Sequence, residues 1–341
     1  MMLSRRAALA AGGALLAAPR LARAQALPKV RYSLDWALQG PNAFVLLGRD
    51  KGFFREAGVD VTVSRGFGSG RVPVDLAAGA YEMGQADINP ALKFMAENPD
   101  AGLVVVGIWG DASLLSATVR ADGPIRAPKD LEGKTLAAPE SDAGRQMFPA
   151  FAKAAGFDAA KVSWMTVNPE LREPMLVQRR ADGVTGLTTT TALSLKALGM
   201  DWPQQRILYY RDHGLDLYGS CFLTTRAYLQ REPEAAKATL AALFRSLVYA
   251  QAHPDEAIAA LRKAEPLTDV AIETERQKVV FDDMVASPAA RRDGLSVVDA
   301  ARLSRAVRTV EEAYGLTPRL TAEAVYTDAF LPPLAQRRLQ A

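Results

Sequence analysis

The chain has 341 residues, 49% of them hydrophobic, a composition that excludes a disordered or fibrous chain and suffices for more than one lobe. Cys221 is the only cysteine, which excludes an internal disulfide and, so far from the first residues, a lipid-modified cysteine at the start of a processed chain. The formal charge is +3, but without Arg5, Arg6, Arg20 and Arg23 the count becomes 37 basic against 38 acidic residues, so the electrostatic case for nucleic acid disappears.

Residues 1–24 place Arg5 and Arg6 before a short apolar run, Ala7 to Ala18, and the small-residue site Ala22-Arg23-Ala24. This is the pattern of a twin-arginine-type signal peptide cleaved near Ala24 or Ala26. The apolar run is too short for a membrane helix, which needs roughly 20 residues. The expected location is the periplasm.

From residue 29 short β-rich runs alternate with helical ones: KVRYSLDW, PNAFVLLGRDKGFFREAG, VDVTVS, GRVPVDLAAGA, YEMGQADI, NPALKFMAENP, AGLVVVGIW. A second series runs KTLAAPES, DAGRQMFPAFAKAAG, KVSWMTV, PELREPMLVQRR, GVTGL, TTTTALSLKALG. The repeated strand-helix order predicts two α/β lobes with parallel-rich sheets. Two extended stretches between them, 113–125 and 214–225, predict a two-strand hinge. Helical segments follow at Pro233 to Ala252, Asp255 to Lys263, near 270–285 and at 296–314. We therefore expect residues 27–117 and 222–341 to form the first lobe and 118–221 the second.

The stretch GFGSGR at 66–71 raises the question of a phosphate loop. Gly66, Gly68 and Gly70 are spaced G-x-G-x-G, Arg71 stands where a third fingerprint glycine belongs, and the loop follows the second strand instead of the first. A dinucleotide site is excluded on these mismatches. The loop either offers backbone N–H groups to a polar ligand at a helix start or is a tight turn. His213 and His253 share no metal-ligand spacing, so no metal, no cofactor and no catalytic residue is expected.

SLDWALQGPNAFVLLGRDKGFFREAGVDVTV, through Asp35, Trp36, Pro41, Lys51, Gly52, Phe53, Phe54, Gly58, Val59, Asp60 and Val61, resembles the opening of the periplasmic solute-binding proteins for thiamine pyrimidine precursors, riboflavin, taurine or alkanesulfonates, and nitrate. GSGRVPVDLAAGAYEMGQADI, PKDLEGKTLAAPES and LYGSCFLTTRAYLQREPEAAKATLAALFRSLVYAQAHPDEAI extend the resemblance over nearly the whole chain after residue 24. It implies a type II periplasmic-binding-protein fold, a monomer that closes on one small molecule, and an ABC importer permease as partner. It leaves three ligand readings open: a planar, nitrogen-bearing solute such as a thiamine pyrimidine precursor, an anion (alkanesulfonate, taurine or nitrate), or the substrate of a pyrimidine-forming enzyme of the same fold. The enzymatic reading lacks its cysteine cluster and a histidine near Pro41. A sensory receptor subunit is not separable from an importer subunit at this level.

Ligands of open α/β sheets sit beyond the carboxyl ends of the strands. That rule selects Trp36, Asn42, Gly68, Ser69 and Asn89 in the first lobe, Glu140, Ser141 and Thr188 in the second, and Tyr218 with Ser220 at the hinge. Trp36 either stacks on a planar ligand or belongs to the core, and Tyr218 carries the same two readings. Asn89-Pro90 and Ser141-Asp142 also read as helix N-caps. Glu140 at the cleft favours a ligand with N–H donors, whereas Arg145 turned inward would favour an anion.

Overall fold

The computed structural model describes residues 26–317 and 319–340; the expected leader, residues 1–24, lies outside them. The strands are β1 (Lys29–Ser33), β2 (Asp60–Ser64), β3 (Met83–Asp87), β4 (Leu103–Ile108), β5 (Leu115–Arg120), β6 (Thr135–Ala138), β7 (Ser163–Thr166), β8 (Gly183–Leu187), β9 (Gln205–Tyr209) and β10 (Ser220–Thr225). Helices among the strands are α1 (Ala43–Asp50), α2 (Phe53–Glu56), α3 (Val72–Ala77), α4 (Ile88–Glu97), α5 (Ala143–Ala155), α6 (Arg172–Val177) and α7 (Thr188–Ala197). After β10 come α8 (Arg226–Arg231), α9 (Pro233–Ala252), α10 (Pro254–Ala264), α11 (Val270–Val279), α12 (Pro288–Asp293), α13 (Ala300–Ala313) and α14 (Ala322–Val325).

Two five-stranded sheets result, ordered β2-β1-β3-β10-β4 and β7-β6-β8-β5-β9. In the first, β1 runs parallel to β2 and β3, and β10 is antiparallel to β3 and β4. The second repeats the plan, with β6 parallel to β7 and β8, and β5 antiparallel to β8 and β9. The antiparallel strand in each sheet has a geometric cause. The other strands at the sheet centre end at the cleft, whereas β5 and β10 are the first strands after a crossing and enter from the cleft side. Leu115 opens β5 opposite Leu187, the last residue of β8, and Ser220 opens β10 opposite Asp87, the last of β3.

The crossings lie at 109–114 and 210–219, so the hinge expected at 113–125 and 214–225 is shorter and earlier than the sequence suggests. Leu115–Ala117, expected in the first lobe, pair with β8 and β9, and Ser220 and Cys221, expected in the second, pair with β3 and β4. The segments read as extended because each contains a six-residue sheet strand. Strand β9 is not among the runs expected from the sequence, although Gly199 and Pro203 separate its QRILY run from α7. The helix expected over 41–58 is split by Gly52, whose φ of +80° ends α1 and starts α2.

Apolar residues from both strand faces and the covering helices make the core, with Tyr32, Phe44, Trp109, Phe222 and Phe244 fully buried in the first lobe and Phe148, Phe151 and Tyr210 in the second. Cys221 is buried on β10, and burial pushes its thiol well above the usual range. Helix α11 lies across the two lobes, against α10 and the Gly40–Asn42 turn on one side and α7 on the other.

Candidate functional site

Where β1, β3, β4 and β8 end, the lobes enclose a narrow cavity lined by Asp35, Trp36, Gln39, Pro41, Asn42, Gln85, Trp109, Leu187, Thr189, Thr190, Ser220 and Met284. In this arrangement it leaves room for about one water molecule, so a ligand enters only when the lobes part. Seven of the wall residues are placed by a strand end or a helix start: Asp35 and Trp36 follow β1, Trp109 follows β4, Leu187 closes β8, Thr189 and Thr190 lie in the first turn of α7, and Ser220 opens β10. The two crossings meet at the floor, where the backbone N–H groups of Trp109 and Gly110 both donate to the Ser220 carbonyl at 3.0 and 2.9 Å.

Asp35 gives the cavity its charge. Its carboxylate is buried, and its side-chain partners are neutral and distant: Ser69 Oγ donates to Oδ2 at 3.4 Å and Gln85 Nε2 to Oδ1 at 3.3 Å. Burial, only partly offset by those bonds, pushes its carboxyl up to about 6. A second layer fixes these groups. Gln85 also donates to Asn42 Oδ1 at 2.7 Å and accepts from Tyr32 Oη at 3.1 Å, while Asn42 Nδ2 donates to the Ala37 carbonyl at 2.9 Å.

Trp36 is half-buried between this cavity and a larger open pocket that also reaches Pro169, Glu173, Ser194 and Ile272. The Arg172 guanidinium of the second lobe lies over its ring, 4.6 Å from the centroid. That arginine is fully buried and already committed, donating to Asp142 at 2.8 Å and to Glu173 at 2.7 Å. Arg276 on α11 is held likewise: it pairs with Glu273 at 2.9 Å and donates to the Thr189 and Thr190 carbonyls at 2.6 and 2.9 Å. Glu273 in turn accepts from the Gly40 N–H at 2.6 Å. One helix thereby ties the loop that carries Gln39 to the helix start that carries Thr189.

The glycine loop proves to be an interlobe latch. Gly66 N–H donates to the Trp36 carbonyl and Gly68 N–H to that of Asp35, at 2.9 and 2.8 Å, and Gly70 N–H donates across the cleft to the Ser141 carbonyl at 2.9 Å. Ser141 Oγ answers by donating to the Phe67 carbonyl at 2.6 Å. Those three amides are spent on protein carbonyls, so the loop cradles no phosphate. Gly68 needs to be glycine twice over: its φ is +128°, and a Cβ there would stand 2.5 Å from the Ser141 carbonyl oxygen.

Of the residues selected from sequence, Trp36, Asn42 and Ser220 line the cavity. Ser69 stands behind it, donating to Asp35 and accepting from the Asp87 N–H at 3.0 Å. Gly68 belongs to the latch, and Glu140 and Ser141 border a separate outer groove with Arg71 and Tyr81, so Glu140 is exposed and brings no charge to the cavity. Arg145 turns to the Ala138 carbonyl and Thr166 Oγ1, at 2.9 Å each, and brings none either. Asn89 is buried behind β3, donating to Asp87 and to the Tyr218 carbonyl, and the helix cap is Asp87, not Asn89. Asp142 caps α5. Thr188 is buried against Ser116 and Leu114, one residue from the wall that Thr189 occupies. Tyr218 packs under Arg302, whose guanidinium is 4.0 Å from its ring centroid, and does not face the cavity.

The strand-end rule could have found Asp35, which follows an apolar run and precedes Trp36, and Trp109, which ends AGLVVVGIW. Gln85 points inward from mid-strand, and Met284 arrives from beyond α11; neither carries a local signal.

The family model described as NMT1/THI5 like matches residues 41–257, and the chain belongs to that family. It is 28% identical over 243 residues to the formylaminopyrimidine-binding protein of Halalkalibacterium halodurans, covering 69% of this chain and 70% of that one. A Haemophilus influenzae protein named for thiamine biosynthesis is 24% identical over 255 residues, covering 74% and 78%. Among solved structures, the alkanesulfonate-binding protein of Xanthomonas axonopodis pv. citri bound to MOPS superposes with TM-score 0.67 at 18% identity, covering 88% of this chain and 98% of that one. The periplasmic nitrate-binding protein of Synechocystis superposes with TM-score 0.62 at 14% identity, covering 89% and 87%. These likenesses show the fold, the α/β periplasmic-binding-protein architecture, and a ligand-binding family. Among the described residues no helix is long and apolar enough to cross a membrane.

Proposed function

We propose that this member of the NMT1/THI5-like family is the periplasmic solute-binding subunit of an ABC importer for a small, planar, nitrogen-bearing molecule of the aminopyrimidine class. The observation that carries the reading is Asp35: a buried carboxylate on the cavity wall whose two side-chain partners are neutral, beside the flat surface of Trp36. An amino or ring N–H group supplies a closer donor than the Ser69 and Gln85 bonds at 3.4 and 3.3 Å, and the indole supplies a face for the ring. An anion would meet the carboxylate without compensation, since Arg172 and Arg276 are already held by Asp142, Glu173 and Glu273. The name of the Halalkalibacterium relative agrees with this chemistry.

Binding without catalysis is favoured because the Halalkalibacterium relative and the superposed solved structures carry the names of binding proteins. Delivery to a permease, action as a monomer and export by the Arg5-Arg6 leader complete the proposal and rest on the family and on the leader pattern. The test is calorimetric titration of ligand-stripped protein with a formylaminopyrimidine, methanesulfonate, taurine and nitrate. The expected result is binding of the pyrimidine with a Kd of about 1 μM or tighter, roughly −8 kcal/mol, and none of the anions. Binding of an anion without the pyrimidine would overturn the reading.

A further inference from the structure

Three buried polar atoms that find no partner within the protein belong to residues lining this one cavity: Gln39 Oε1, Trp109 Nε1 and Thr189 Oγ1. We infer that Trp109 and Thr189 are ligand-reading groups, and that the ligand therefore carries hydrogen-bond acceptors as well as the N–H donor that Asp35 and Gln39 call for. This rests on the solute-binding reading of the site and narrows it to a ring that bears a lone pair beside an amine.

The indole nitrogen is a donor only, so no tautomer or amide flip removes its need for an acceptor. Trp109 is 2% exposed, and its ring is fixed between Phe44 at 5.4 Å and Phe222 at 6.2 Å, so it has no freedom to turn toward solvent. Thr189 is fully buried, and its backbone carbonyl is taken by Arg276. Its neighbours show the contrast: Thr190 Oγ1 donates to the Leu187 carbonyl at 2.9 Å and Thr191 Oγ1 at 3.2 Å, as hydroxyls at a helix start ordinarily do. Leaving a buried donor unpaired is unfavourable, and a ligand acceptor removes that penalty.

The placement of the groups matters as much as their chemistry. Gln39 sits on the first lobe, Thr189 on the second, and Trp109 on the first crossing where it is bonded to the second through Ser220. A ligand that satisfies all three bridges both lobes at the pivot, which couples recognition to closure.

The experiment uses Trp109→Phe, which keeps an aromatic ring but removes the N–H and part of the indole volume, and Thr189→Val, which keeps the shape, titrated with a formylaminopyrimidine. Each is expected to lower affinity roughly five- to tenfold, and Thr189→Val is expected also to lessen ligand-induced compaction in small-angle scattering. Without ligand Thr189→Val is expected to melt at or above the wild-type temperature, because it removes an unsatisfied buried group and keeps the shape; a purely structural role would lower it. Trp109→Phe also loses buried volume and is read by affinity in the folded protein. Unchanged affinity in both variants overturns the inference and leaves the proposed function standing. If the wild type binds methanesulfonate instead, the proposed function falls, and the same variants titrated with methanesulfonate decide the inference, since sulfonate oxygens accept from both groups. Wild-type binding of neither probe overturns both.

Discussion

Replacing Asp87 by asparagine should stabilise the protein above neutral pH. Asp87 is fully buried at the start of α4, where Oδ1 accepts from the Asn89 N–H at 3.0 Å and from Asn89 Nδ2 at 2.8 Å while Oδ2 has no partner. Burial, reinforced by the charges of Asp35 and Asp142, pushes its carboxyl up to about 7. The unfolded value is about 3.9, so between these limits the native state binds more protons than the unfolded one, and stability falls as pH rises through that window. The penalty is absent below about pH 4 and complete above about pH 7, and a window about three pH units wide corresponds to about 4 kcal/mol. Asparagine keeps the capping acceptor, carries no charge and offers an N–H to the unpaired Asn89 Oδ1. Asp35 titrates in both proteins, and because it and Asp87 repel, removing the Asp87 charge also eases Asp35 and adds to the gain at pH 8. Urea unfolding of ligand-free wild type and Asp87→Asn at pH 5 and pH 8 should give a gain about 2 kcal/mol larger at pH 8. An equal gain at both pH values, or a loss at pH 8, would refute the assignment of a strained charge to Asp87.

Trp36→Ala should weaken binding of a formylaminopyrimidine by about 1 to 3 kcal/mol, roughly five- to a hundredfold, with little change in melting temperature because the ring is only half-buried; a large melting loss at unaltered affinity rules out stacking. Gly68→Ala introduces a Cβ against the Ser141 carbonyl and a strained φ, so scattering at saturating ligand should retain the open radius of gyration, and normal compaction would show that the latch does not govern closure. Arg172→Met leaves Asp142 and Glu173 as unpaired buried carboxylates, and urea unfolding should show a loss of about 3–5 kcal/mol; a loss under about 1 kcal/mol contradicts the buried triad.

The two-lobe plan is readable in the sequence because strand and helix periods alternate cleanly twice, and because the cleft must lie where the parallel strands end. Trp36, Asn42 and Ser220 follow from that rule. Side-chain direction does not: Thr188 and Thr189 are equally plausible in the string, and only the helical turn of α7 decides which one faces the cavity. Glu140 reads as the charge of the site because it ends the LAAPE run, yet the chain turns it outward and leaves Asp35, inside the matched Asp-Trp pair, as the buried carboxylate. The glycine loop shows the same limit, since its amides bond to carbonyls at 35, 36 and 141 that no local pattern connects to it.

Cys221, opposite Ala86 on one side and Ile108 on the other, makes the chain its own chemical clock. A sole thiol sealed in the strand next to the sheet edge reacts with an alkylating or disulfide reagent only when that sheet parts, so its labelling rate in native buffer counts openings of the first lobe and ignores motions of the cleft. The same inertness leaves the surface free of competing thiols. Dye pairs attached to cysteines introduced at Asp75 and Glu140, on opposite banks of the outer groove, would then report lobe separation without interference from the native thiol.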